Sequence, residues 1–157
     1  MNKKGFTLIE LLIVIAIIAI IAGVVFVALN PLQRFQDSRD SKRWGDVTGV
    51  LSAIKVNQVD NRGTYLASIT AVTTSLPYQI GTATTTCNSG CTATTTFSSC
   101  VDLGGLVTGG YLASVPMDPS AGTAGKSLYY LIKNSNGTVT VGACAPENTP
   151  AGINVAR

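Results

Sequence analysis

At 157 residues and 16.2 kDa the chain has room for one small domain and an appendage, which excludes a multidomain enzyme. Its formal charge of +3 is too small to give a general affinity for nucleic acid, and from Arg34 to Arg62 six basic residues face four acidic ones. Histidine is absent, so the commonest general base and metal ligand at neutral pH is missing, and the composition points to a non-enzymatic protein with no cofactor.

The chain opens with a short basic segment, Met1 to Gly5, that carries Lys3 and Lys4 and leads directly into Phe6-Thr-Leu-Ile-Glu10. From Leu11 to Leu29 there follow 19 residues without a charge. With Phe6 to Ile9 ahead of it, this run approaches the ~20 residues that cross a bilayer core as a helix. Lysines before the run predict a cytoplasmic N-terminus and a chain that emerges on the far side after Asn30. A secretory signal peptide would have a shorter apolar core followed by a small-residue cleavage site. A plain single-pass anchor explains the lysines and the apolar run but leaves Glu10 without a purpose. A carboxylate inside a span costs about 2.5–3.5 kcal/mol near the helix centre, and somewhat less near the end, so Glu10 needs a partner. Cutting the chain between Gly5 and Phe6 would supply one, because the new α-amino group of Phe6 is a cation that can pair with it.

The sequence Lys-Gly followed by Phe-Thr-Leu-Ile-Glu and a long apolar helix resembles the class III signal of type IV pilins and pseudopilins. The resemblance implies that a prepilin peptidase cuts after Gly5 and N-methylates Phe6, and that Glu10 pairs with the Phe6 amine of a neighbouring subunit during assembly. In one respect the chain departs from the family. Many members carry a proline in mid-helix, whereas this chain has Val27 there and its first proline is Pro31, which predicts a kink or break between Gly23 and Pro31.

The segment from Leu32 to Arg62 reads as an amphipathic helix. Val47, Val50, Leu51 and Ile54 recur at i, i+3, i+4 and i+7, with Phe35 on an extension of that face. Arg34, Asp37, Arg39, Asp40, Lys42, Arg43 and Asp46 are expected on the opposite side, and the basic cluster Arg39, Lys42 and Arg43 reads as a solvated or subunit-facing surface rather than a DNA site. Gly63 supplies a left-handed stop.

Beyond Gly63 the chain reads as a β-rich head. Ser127 to Lys133 and Thr138 to Cys144 flank an Asn-Gly-containing turn and predict a hairpin. Leu76 to Ile80 and Phe97 to Leu103 are weaker strand candidates, and Gly109 to Pro119 is a loop that resembles the Pro-x-Asp-Pro stretch of pseudopilin heads. The four cysteines, Cys87, Cys91, Cys100 and Cys144, suggest disulfides and an oxidising compartment. They allow three pairings that sequence cannot choose among, of which Cys87 with Cys91 and Cys100 with Cys144 is preferred. A zinc site fits poorly without histidine. Ser120 to Ser127 approaches a phosphate-binding loop but lacks its first glycine and leads into a strand. Asp118, with Asp102 and Glu147, is a weak calcium candidate, since nothing fixes these three carboxylates together. The Thr-rich stretch from Thr82 to Thr96 reads as a surface loop or edge strand, with glycosylation as the alternative.

The expected fold is α+β: a long N-terminal α-helix, apolar in its first half and amphipathic in its second, packed on a small antiparallel β-sheet head. The expected divisions are a leader at 1–5, a membrane and filament-core helix at 6–29, an amphipathic helix at 30–62 and a globular head at 63–157. The resemblance implies a precursor held in the cytoplasmic membrane with its head outside the cytoplasm, and then a homo-oligomeric helical filament outside the cell. It also implies prepilin peptidase and the pilus assembly machinery as partners, for adhesion, motility or DNA uptake. Nucleic acid is a partner that the charge balance does not support. A minor pilin or type II secretion pseudopilin, and a membrane-tethered protein that never polymerises, are the alternatives.

Overall fold

The computed structural model describes residues 5–149 and 151–157. Two compact units divide the chain, Met1–Phe35 and Gln36–Arg157. The leader residues 1–4, with Lys3 and Lys4, lie outside the described residues.

In the first unit, helix α1 spans Leu8–Leu29, 22 residues, or about 33 Å at 1.5 Å per residue. It begins at Thr7, whose hydroxyl accepts from Glu10 N, and none of its residues is buried. Among the described residues, one helix is long and apolar enough to cross a membrane, and it contains α1. Regular helix is interrupted at Asn30, which takes left-handed dihedrals (φ 39°, ψ 70°) ahead of Pro31. Proline disfavours the right-handed helical region for the residue before it, and asparagine tolerates the left-handed one. Helix α2, Pro31–Asp60, then starts with proline at its first position, where no N–H is required. The predicted break thus falls at the last residues of the expected interval, and α1 runs regularly through Gly23.

Most of α2 belongs to the second unit, where its buried residues are Asp40, Arg43, Val47, Val50, Leu51, Ala53, Ile54 and Asn57. The predicted stripe is therefore the face that packs on the head. Phe35, placed on its extension, is instead exposed (65 %), and Asp40 and Arg43 occupy the inner end of the stripe. The helix stops in a Schellman-type turn, in which Gly63 (φ 89°) donates its N–H to Gln58 O at 2.8 Å.

Two short helices that the sequence reading missed follow, α3 (Ala67–Ala71) and α4 (Gly104–Thr108), each contributing one fully buried residue, Ile69 and Leu106. Four antiparallel strands, β1 (Pro77–Gln79), β2 (Tyr129–Lys133), β3 (Val139–Ala143) and β4 (Asn154–Ala156), make one sheet in the order β1-β2-β3-β4. The hairpin forms where expected, with Lys133 opposite Val139 at its closed end. Gly142 lies opposite Tyr130, whose ring covers it so closely that a Cβ there would come within 2.4 Å of the ring. The candidate strand Phe97 to Leu103 is not one. Among the described residues it makes only an isolated parallel bridge, Val101 to Ile80, and Phe97 N–H and Val101 N–H donate to Pro77 and Gln79 along the outer edge of β1. That edge is therefore covered by irregular backbone rather than left open.

The core joins Val47, Val50, Leu51 and Ile54 of α2 to Tyr129 and Leu131 of β2 and Val139 and Val141 of β3. The fold is α+β, a long N-terminal helical region with a small antiparallel sheet.

Candidate functional site

The N-terminal constellation is built on a reciprocal cap. Thr7 Oγ1 accepts from Glu10 N at 3.3 Å, while Glu10 Oε2 accepts from Thr7 N and Thr7 Oγ1, both at 2.8 Å. This is the Ser/Thr-x-x-Glu box, legible in Thr7-Leu-Ile-Glu10 but not used in the sequence reading. It gives Glu10 a hydrogen-bonding partner within its own chain. The cap satisfies lone pairs of the carboxylate and two otherwise orphaned N–H groups, those of Thr7 and Glu10, yet it brings no positive charge. Neutralisation still needs a cation. Phe6 is 88 % exposed, and the bond between Gly5 and Phe6 lies in irregular chain ahead of the helix.

The head is closed by two disulfides, Cys87–Cys100 and Cys91–Cys144. This corrects the preferred pairing of Cys87 with Cys91 and Cys100 with Cys144. Backbone hydrogen bonds explain the outcome: Cys144 O accepts from Thr92 N and Ala93 N, each at 3.0 Å, which brings Cys91 beside Cys144. Cys87 N donates to Ser98 O and Cys100 N to Ala83 O, which brings the other pair together. Inside the same loop lies Gln79, fully buried, whose Nε2 donates to Cys87 O (2.6 Å), Ser89 O (2.8 Å) and Thr96 Oγ1 (3.3 Å). The Thr82 to Thr96 stretch is thus an irregular loop held from beneath by one amide. Chain-entropy bookkeeping gives about 4 kcal/mol for the Cys91–Cys144 closure over 53 residues and about 3 kcal/mol for Cys87–Cys100 over 13. Reducing the protein should therefore lower its unfolding midpoint, and Cys91→Ser/Cys144→Ser should lower it more than Cys87→Ser/Cys100→Ser, as read by circular dichroism on heating.

The second cluster was not anticipated. Arg43 is fully buried, and its guanidinium forks onto Asp118, with Nε to Oδ2 at 2.6 Å and Nη2 to Oδ1 at 3.0 Å. Its Nη1 donates to Asp40 Oδ1 (2.7 Å) and Glu147 Oε1 (3.0 Å), and its Nη2 also reaches Ser120 Oγ (3.2 Å). Arg39 forms a second fork on Glu147, through Nε at 2.7 Å and through Nη2. Asp40 in turn accepts from the backbone N–H groups of Glu147 and Asn148 and from Thr149 Oγ1. The cluster fastens α2 to both the 118–120 loop and the 147–149 loop.

The expected placement of the charged residues of α2 changes here. Arg43 and Asp40 do not face solvent with the other charges; of the basic cluster, Arg39 is part-buried against Glu147 and only Lys42 stays exposed, paired with Asp46 at 2.9 Å. Asp118, the weak calcium candidate, has both oxygens engaged by Arg43 and Ser120, so its role is counter-charge rather than cation ligand. Asp102 is elsewhere, accepting from Gly104 N at 2.8 Å, and among the described residues no group of three or more His, Cys, Asp or Glu side chains could hold a metal. The Ser120 to Ser127 stretch forms a tight turn leading into β2, and Lys126 Nζ is drawn to Ser89 Oγ at 3.1 Å. It therefore lacks the helix that a phosphate-binding loop opens.

Burial raises the affinities of Asp40 and Asp118 for protons, but hydrogen bonds outweigh it: Asn148, Arg43 and Glu147 N–H groups on Asp40, and Arg43 and Ser120 on Asp118, hold both below the ordinary carboxylate range. Glu147 is lowered chiefly by Arg39. A carboxylate depressed in the folded state contributes stability that is present above its ordinary value near 4 and is lost as pH falls through its lowered one. The unfolding midpoint should accordingly be level from about pH 5 to 7 and fall below about pH 4. A midpoint unchanged in strong acid would contradict the ionic account.

The prokaryotic N-terminal methylation motif matches residues 1–26, which include Gly5, Phe6, Glu10 and most of α1. That match supports the type IV pilin and pseudopilin family, whose proteins are structural rather than enzymatic. The motif implies processing by prepilin peptidase and assembly into a pilus or pseudopilus, and with α1 it fits a membrane-anchored precursor. No curated protein and no solved structure matches the chain.

Proposed function

We propose that the chain is a pilin: a structural subunit that is cut between Gly5 and Phe6, N-methylated on Phe6 and polymerised through its N-terminal helix into an extracellular filament serving adhesion, motility or DNA uptake. The observation that carries this reading is the methylation motif over residues 1–26, running into a helix whose 22 residues are apolar except Glu10 and all unburied. Such a surface is stable in lipid before assembly or against other copies after it, and not in water. Residues 6–29 serve first as membrane span and then as filament core, 30–62 as the amphipathic link and 63–157 as the head on the outside. Glu10 pairs with the Phe6 amine of a neighbouring subunit and sets its axial register.

Closed disulfides in the head support a compartment outside the cytoplasm. Quantifying this chain in sheared surface fibres tests the reading: a bulk pilin dominates them, whereas a chain scarce there but present in the membrane would be a minor pilin or a pseudopilin.

A further inference from the structure

We propose that Asn136 is an acceptor for an N-linked glycan, placed at the tip of the β2–β3 hairpin. Asn136-Gly-Thr138 is the one place in the sequence where asparagine is followed two residues later by serine or threonine without an intervening proline. This spacing is what N-glycosylation requires of a surface loop. The bland reading of Asn136-Gly137 is turn chemistry alone, and the turn does use it: Gly137 has φ 81°, and its N–H donates to Asn134 O at 3.1 Å. Turn formation requires neither Thr138 nor the exposure of the amide.

The structure supplies both. Ser135, Asn136 and Gly137 are exposed, while Val139 just beyond them is fully buried. Thr138 donates to Asn136 Oδ1 twice, from its backbone N–H at 3.1 Å and from its hydroxyl at 2.8 Å. The amide oxygen is thereby committed, and Asn136 Nδ2, the atom that would carry the sugar, makes no hydrogen bond among the described residues. The tip is held in place from below by Tyr65, whose hydroxyl donates to Gly137 O at 2.7 Å. A glycan on Nδ2 would therefore extend from a rigid, protruding turn and disturb no core contact.

The reaction balances with a glycan carried on a polyprenyl pyrophosphate. Nδ2 forms a bond to the anomeric carbon and gives up a proton to the transferase base. The anomeric carbon–oxygen bond breaks, and its electron pair leaves with the lipid pyrophosphate. The proposal rests on the placement of the head outside the cytoplasm, where such a donor would meet it.

Peptide mapping by mass spectrometry of the full-length protein from the cells that produce it tests the site and the placement together. The expected result is a glycan mass on Asn136, retained in Thr138→Ser and lost in Thr138→Ala, with both disulfides closed. Thr138→Ala keeps the backbone donor to Asn136, and Asn134 Nδ2 keeps Thr140 Oγ1 at 2.9 Å, so the turn survives the change. An Asn136 that carries no sugar or is only converted to aspartate, on a protein with both disulfides closed, overturns the proposal alone. A glycan that persists in Thr138→Ala also overturns it. Free cysteines overturn the placement of the head, and the proposal with it.

Discussion

Replacing Glu10 by alanine should abolish filaments while leaving the subunit in the membrane at its normal level. In a water-excluded filament core the Phe6 amine would then have no counter-charge, and stranding one member of a buried ion pair costs about 3–5 kcal/mol. Each subunit added to the polymer would carry that penalty, so at equal subunit levels filament number should fall by roughly 100-fold or more. The reciprocal cap with Thr7 offers a competing explanation for the same loss, and two further variants separate them. Glu10→Gln keeps an oxygen that can accept from Thr7 N but removes the charge, and it should fail as alanine does. Thr7→Val removes the capping hydroxyl at a cost of about 1 kcal/mol and should assemble. Normal filament counts for Glu10→Gln, by electron microscopy of sheared material, would sink the charge-pairing argument.

Arg43→Ala should be the most damaging single change in the head. It leaves Asp118, which has no exposed side-chain surface, without its bidentate partner, and takes a donor from Asp40 and Glu147. Breaking a buried pair on one side costs about 3–5 kcal/mol. For a unit of this size that corresponds to a fall of about 10–20 °C in unfolding midpoint. Arg43→Lys retains the charge but loses the planar fork, and it should fall between the wild type and alanine. Lys42→Ala, on the exposed side of the same helix, should shift the midpoint little, because the Lys42 ammonium is exposed and Asp46 keeps the Tyr129 hydroxyl as a donor at 2.7 Å. Circular dichroism of the detergent-solubilised chain reads all four proteins, and equal midpoints for Arg43→Ala and Lys42→Ala would show that the buried cluster contributes nothing.

The helical apolar pattern, the stripe from Val47 to Ile54 and the β2–β3 hairpin were legible because each follows from local periodicity or turn chemistry. The N-terminal motif was legible for a different reason, a single charge where an anchor should have none. Arg43 was misread although the signal was present: it lies four residues before Val47, on the same helical face, and a positive charge there demanded a buried carboxylate. Which carboxylate could not be read, because Asp118 is 75 residues away and only tertiary folding brings it near. The disulfide pairing failed for the same reason. Cys91 meets Cys144 through a loop carbonyl that no local pattern announces, while the sequence proximity of Cys87 and Cys91 was misleading. The segment from Phe97 to Leu103 had strand-like composition, but it is needed as an irregular cover for the edge of β1.

The proposed function depends on one covalent event, cleavage ahead of Phe6, which turns a membrane anchor with a capped, unneutralised carboxylate into a polymer core with paired charges. The most direct measurement is the mass of the N-terminal peptide of the mature chain recovered from sheared surface filaments. A peptide beginning at N-methylated Phe6 is the result predicted. A chain that still carries Met1 to Gly5 in the assembled material would contradict it.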